Sequence, residues 1–217
     1  MMMVKMCAAQ AQKSGKPSFE PVHAVHVVDP VYPHLSVASG IVILKVAVSQ
    51  SGEVDGIEVI HPIPSLTEQA EQAVKEWKFE PAKVSGEPVK SSIVVSIGFS
   101  NLFTRGAPWV AEPQPDKPSG FEPIQILSAV EAPCPSMTVA AVVFPKTVIL
   151  QMAVSESGAA EHIDVIHNVP PLTEWAEQTI QQWKFQPATI NKRPVSSVMI
   201  ASFTFRRPPD IAPTPPM

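Results

Sequence analysis

Residues 42–99 align with residues 148–205 at a constant shift of 106, without a gap and with roughly half of the positions identical. "LTEQAEQAVKEWKFEPA" (66–82) faces "LTEWAEQTIQQWKFQPA" (172–188), and "VSQSG" (48–52) faces "VSESG" (154–158). Nearer the start of each copy the shift becomes 102: "FEP" at 19–21 faces "FEP" at 121–123. The second copy therefore carries four extra residues between Pro135 and Thr147. A duplicated unit of about 85 residues can bury a core of its own, and two copies are too few for a solenoid. The pattern predicts two globular domains, at 17–100 and 119–206. A segment at 1–16, a Pro-rich linker at 101–118 and a Pro-rich tail at 207–217 are expected to be unstructured or extended, in keeping with 25 prolines in the chain.

Each copy spells one order of elements. "GIVILKVAVS" (40–49) is an almost continuous Val/Ile run, which suits a strand covered on both faces or placed centrally. "QSG" marks a turn, and "VDGIEVI" (54–60) completes a hairpin. From Leu66 the period becomes helical: Leu66, Ala70, Ala73, Val74 and Trp77 share one stripe, and Pro81 ends it. Ser65 and Glu68 have capping-box spacing, although Pro171 replaces the serine in the second copy. Residues 88–99 then alternate, with Val89, Ser91, Ile93, Val95, Ile97 and Phe99 on one face and Lys90, Ser92, Val94, Ser96 and Gly98 on the other. The fold class is α+β: two tandem ββαβ domains, each a three-stranded antiparallel sheet in the order 2-1-3 with one main helix. Trp77 and Trp183, two of only four tryptophans, are expected to anchor helix to sheet together with Phe79 and its counterpart Phe185. Trp175 replaces Gln69 at the stripe's border, which suggests a contact with the linker near Trp109 or with the first domain.

Charge and motif exclude several functions. The net charge is −4, and no basic cluster offers a nucleic-acid face. No apolar run reaches the ~18 residues of a membrane span, and "MMMVKMCAAQAQKSGKPS" lacks the apolar core of a secretory signal. Cys7 and Cys134 define no redox compartment. No phosphate loop, cofactor motif or zinc spacing is present, and no small-molecule substrate is indicated. His23 and His26 point to opposite sides of an extended segment and have no counterparts at Gln125 and Ser128. His61 and His167 recur after the second strand, where a backbone partner is the simpler expectation. Ser91 and Ser197 recur without a base, and Glu71 and Glu177 lie on the solvent side of the helix. No catalytic or metal site is expected.

The ordered residues Tyr32-Pro33, Gly40, Val42, Val46, Val48, Gly52, then Leu66, Ala70, Ala73, Val74, Trp77, Phe79, Pro81 and Ala82, then Gly86, Pro88 and Val89 resemble the TonB C-terminal domain, of the TonB/TolA C-terminal-like class. The resemblance covers both copies. The family's N-terminal membrane helix and long spacer are not found in this sequence. The first copy is short by a helical turn between Pro33 and Gly40, and the second has Cys134, Lys146 and Lys192 where the pattern has Tyr, Gly and Gly. The resemblance implies a periplasmic or cell-envelope location in a Gram-negative bacterium, with an incomplete or missing signal. It also implies a partner, an extended segment of an outer-membrane receptor or another envelope protein, added as a strand to an open edge. On that reading the third strand of each copy is the acceptor, with Lys90, Ser92, Val94 and Ser96 in one and Ser196, Val198, Ile200 and Ser202 in the other. A homodimer is an allowed state. The competing arrangement covers those edges with residues 22–28 or with the sister domain, and makes the chain a structural envelope protein whose domains pack together.

Overall fold

The structure, a computed structural model, describes residues 19–33, 36, 38–101, 109–110, 121–132 and 145–206. Cys7, Cys134, the N-terminal segment, the tail and most of the linker lie outside the described residues. The first copy contains β1 (Gly40–Val48), β2 (Val54–His61), α1 (Thr67–Lys75) and β3 (Ser91–Asn101). The second contains β4 (Lys146–Val154), β5 (Ala160–His167), α2 (Leu172–Ile180) and β6 (Ser197–Arg206). Within each copy the first strand pairs antiparallel with the other two, giving the 2-1-3 order.

The expectation of two separate three-stranded sheets is corrected. All six strands form one sheet, in the order β5-β4-β6-β3-β1-β2. The two third strands are its centre: β6 runs parallel to β3, from Met199 opposite Val94 to Arg206 opposite Asn101. This register differs by one residue from the repeat alignment, which matches Ile200 to Val94. The stagger has a geometric cause. Two copies related by a twofold axis along the strands present opposite faces, and neighbouring residues of a strand also point to opposite faces. A one-residue slip brings like-facing side chains level.

The copies therefore place their helices on opposite faces. Leu66, Ala70, Val74 and Trp77 pack with Val42, Leu44, Val46, Val95 and Ile97 on one side. Leu172, Ala176, Ile180 and Trp183 pack with Val148, Leu150, Met152 and Phe203 on the other. Each core borrows from its sister: Ile149 and Ile200 belong to the first cluster, and Ile41, Ile43 and Val94 to the second. This explains why β1 is apolar on both faces. One helix covers one face, and the other copy covers the second.

The repeated heptad holds each copy's entering segment. Trp77 is fully buried and its indole N–H donates to Val28 O at 2.9 Å; Trp183 does the same to Val130 O at 2.9 Å. Lys78–Glu80 forms a short strand antiparallel to His23–His26, as Lys184–Gln186 does to Gln125–Ala129. The Phe79 amide donates to Gly52 O at 2.9 Å, so the turn glycine touches the heptad backbone. A Cβ on Gly52 would collide with Phe79 O, and one on Gly158 would stand 2.5 Å from Phe185 O. Both glycines have positive φ, 82° and 81°, which side-chain-bearing residues rarely adopt.

Two smaller expectations change, and one departure from the family pattern is accommodated. The capping box is not formed: Leu66 occupies the α1 N-cap without a side-chain hydrogen bond, and Thr67 Oγ1 instead accepts from Ile63 N at 2.8 Å. Thr173 repeats this with Val169 N at 2.9 Å. Lys192, standing where the first copy has Gly86, takes φ 65° beside Asn191 at 51°, so the hairpin turn survives without its glycine. The linker is not wholly free, because Trp109–Val110 pairs antiparallel with Ser128 and Ala129. Trp175 is 36% exposed.

Candidate functional site

The third-strand edges named from sequence are occupied. Val94, Ser96, Ile200 and Ser202 are buried and lie within the β3–β6 ladder, so their backbone edge already has a strand neighbour. Lys90 and Ser196 are exposed, Ser92 and Val198 are half-buried, and all four precede the ladder. The face expected to be open on β3 is closed for the same reason, with Val94 seated in the second copy's core. At the seam the second copy's strand and the Phe203 ring lie against small residues of β3. Ser96 Oγ is 3.4 Å from Ile200 O, and Phe203 Cδ1 comes within 3.5 Å of the point where a Cβ of Gly98 would stand. Sister-domain cover, rather than cover by residues 22–28, is the arrangement adopted.

Pairing the third strands leaves β2 and β5 as the ends of the sheet. Along β2, Asp55, Gly56 and Glu58 are exposed; along β5, Glu161, His162 and Val165 are exposed. These are the strands whose outer N–H and C=O groups have no ladder among the described residues, the requirement for accepting another strand.

Two polar groups that sequence reasoning missed lie buried between the copies. Gln151, on β4, is buried on the first copy's side: Ala24 N donates to its Oε1 at 3.2 Å, and its Nε2 donates to Val22 O at 3.4 Å. Its repeat counterpart is Lys45, which faces solvent and pairs with Glu58. The Lys-to-Gln difference at that position was the available signal. Glu131 is 7% exposed, and its Oε2 has no hydrogen-bond partner among the described residues. Its Oε1 lies 3.7 Å from where a Cβ of Gly40 would stand, so it is buried against the start of the other copy's β1. Burial pushes this carboxyl up to about 7. A carboxyl raised in the folded state binds more protons folded than unfolded across this window. Stability thus falls as pH rises from the ordinary carboxylate range through 7, by about 1–3 kcal/mol. Urea unfolding from about pH 5 to 8 is expected to show this decline, and Glu131→Gln to flatten it; equal slopes would remove Glu131 as the cause.

The recurring histidines differ. His61 Nδ1 is 2.8 Å from Ile41 O, a backbone partner as expected. His167 Nδ1 lies 3.5 Å from Asp29 Oδ1 of the other copy. His23 and His26 sit opposite Glu80 and Lys78 on the short strand pair. The Ser91 and Ser197 hydroxyls are buried without a hydrogen-bond partner among the described residues. Glu71 is 3.8 Å from Lys75, one helical turn on. Among the described residues no group of three His, Cys, Asp or Glu side chains could hold a metal ion, and no helix is long and apolar enough to cross a membrane.

These features define a class: a duplicated α+β module whose two copies join edge to edge and leave two outer strands. The family model described as Gram-negative bacterial TonB protein C-terminal matches residues 28–100 and 147–206. The chain belongs to that family, and the two matched segments are its two copies. Among solved structures, the solution NMR structure of the Pseudomonas aeruginosa TonB C-terminal domain is similar, at 26% identity over 36% of this chain and 83% of that one, with a TM-score of 0.31. No curated protein matches the chain.

Proposed function

We propose that the chain is a non-enzymatic, TonB-like interaction module of the Gram-negative periplasm or cell envelope. It binds an extended segment of an outer-membrane receptor or another envelope protein by strand addition, in a role linked to outer-membrane transport, without a cofactor. Family membership supports the envelope interaction role. The observation that carries the strand-addition reading is the sheet itself: six strands end in two edges without a neighbour among the described residues. The acceptor edges move accordingly, from the paired third strands to β2 and β5. Main-chain hydrogen bonds contribute a net ~0.5–1.5 kcal/mol each, so about five of them, less the ordering of the peptide, give weak binding, from roughly tens of micromolar to millimolar. The β3–β6 ladder favours a second reading, a structural envelope protein whose copies pack together with no role in energy transduction.

Titration of the labelled full chain with receptor-derived peptides separates the two. Strand addition predicts amide shifts concentrated at residues 54–61 or 160–167, weakened by Val59→Pro or Val165→Pro in protein that remains folded. Absence of any shift at millimolar peptide leaves the structural reading. Shifts confined to 94–101 and 199–206 would mean that the central ladder opens, and would return the site to the third strands.

A further inference from the structure

The two outer strands are copies of each other, yet their charges are not handled alike. Along and beside β2 every carboxylate has a lysine: Glu53 pairs with Lys78, Asp55 Oδ2 lies 3.0 Å from Lys90 Nζ, and Glu58 Oε2 lies 3.3 Å from Lys45 Nζ. Repeat alignment places Glu161 and Asp164 of β5 where β2 has Asp55 and Glu58. The lysines have not been kept with them. Lys90 becomes Ser196, and Lys45 becomes Gln151, which is committed to the backbone of Val22 and Ala24. Lys184 retains the position of Lys78, but its acidic partner has become Ala159. Asp164 Oδ1 is left with His162 Nε2 at 3.1 Å, and both side chains are open to water. Among the described residues, neither Glu161 nor Asp164 forms an ion pair with a lysine or arginine. Val165, 39% exposed, adds an apolar position on the same strand.

Lysines along an edge discourage intruding strands, and beside β2 they also compensate its carboxylates. The β2 edge is neutralised in this way. The β5 edge offers the same unpaired backbone together with uncompensated negative charge, and opposite charges across a strand pair favour that pairing while like charges oppose it. We infer that β5, and not β2, is the recruiting edge, and that its partner is an extended peptide segment carrying Lys or Arg opposite Glu161 and Asp164. This rests on the strand-addition reading and narrows it to one edge and one sign of charge.

The test uses the full labelled chain and two eight-residue peptides with the same Val/Thr alternation, one bearing two lysines and the other two glutamates. The lysine peptide is expected to shift amides of residues 160–167 and to leave 54–61 unmoved, with the glutamate peptide about tenfold weaker or silent. Added salt and the exposed double substitution Glu161→Gln/Asp164→Asn are expected to erase most of that difference. Equal binding of both peptides at β5 overturns the charge assignment and leaves strand addition intact. Shifts at 54–61 overturn the choice of edge. Silence of both peptides at both edges removes strand addition as well. Concentration-dependent shifts at 160–167 without peptide, with a dimer in sedimentation, would give the edge to a second copy and overturn the proposal.

Discussion

Replacing Trp77 by alanine is expected to lower the stability of the chain by about 3–5 kcal/mol, and Trp183→Ala by a similar amount. Three losses combine at each site. A large ring leaves a core in which it is 0% or 6% exposed. The indole hydrogen bond to Val28 O or Val130 O goes, leaving a carbonyl without that partner. The ring contacts with Phe79, at 6.3 Å between centroids, and with Phe185, at 6.2 Å, go too. Phenylalanine at either position keeps most of the burial and loses the hydrogen bond, so it should cost about 1–3 kcal/mol. Chemical denaturation measures both, and a loss under 1 kcal/mol for either alanine variant would refute the anchoring role.

Ile200→Ala should cost about 2–5 kcal/mol, the range for emptying a buried aliphatic site, and its effect should cross between the copies. Ile200 stands on the second copy's β6, yet its side chain belongs to the core under α1 of the first. The two cores are therefore expected to unfold in one transition, and this substitution should move the whole transition. Calorimetry showing two transitions, with only one displaced by Ile200→Ala, would mean that the copies fold independently.

Much of this architecture is written locally. The helical stripe from Leu66 to Trp77, the hairpin around Gly52 and the 2-1-3 order follow from periods and turns within each copy. The joining of the sheets does not, because edge pairing between distant strands leaves no periodic trace. One sign of it was present: Ile41 and Ile43 alternate with Val42 and Leu44, so β1 is apolar on a face that its own helix cannot reach. A strand buried on both faces needs a second covering layer, and the sister copy supplies it. The alternation of β3 gave the correct core face, through Ile93, Val95, Ile97 and Phe99. It misled about the other face, because Ser96 and Gly98 read as solvent-facing although the second copy's β6 and Phe203 cover them. The outer edges passed unnoticed for a related reason. Their distinguishing feature is which lysine is missing; the repeat alignment shows the loss, but only the structure shows which carboxylate each lysine meets.

Hydrogen exchange, resolved by residue on the intact chain, tests the joined sheet most directly. With β3 and β6 at its centre, the amides of 94–101 and 199–206 should be among the slowest in the protein and exchange together near the global unfolding limit. Those of β2 and β5 that point outward should exchange far sooner. Third-strand amides exchanging as fast as the outward amides of Val54–His61 and Ala160–His167 would show that β3 and β6 are open edges, and would contradict the account.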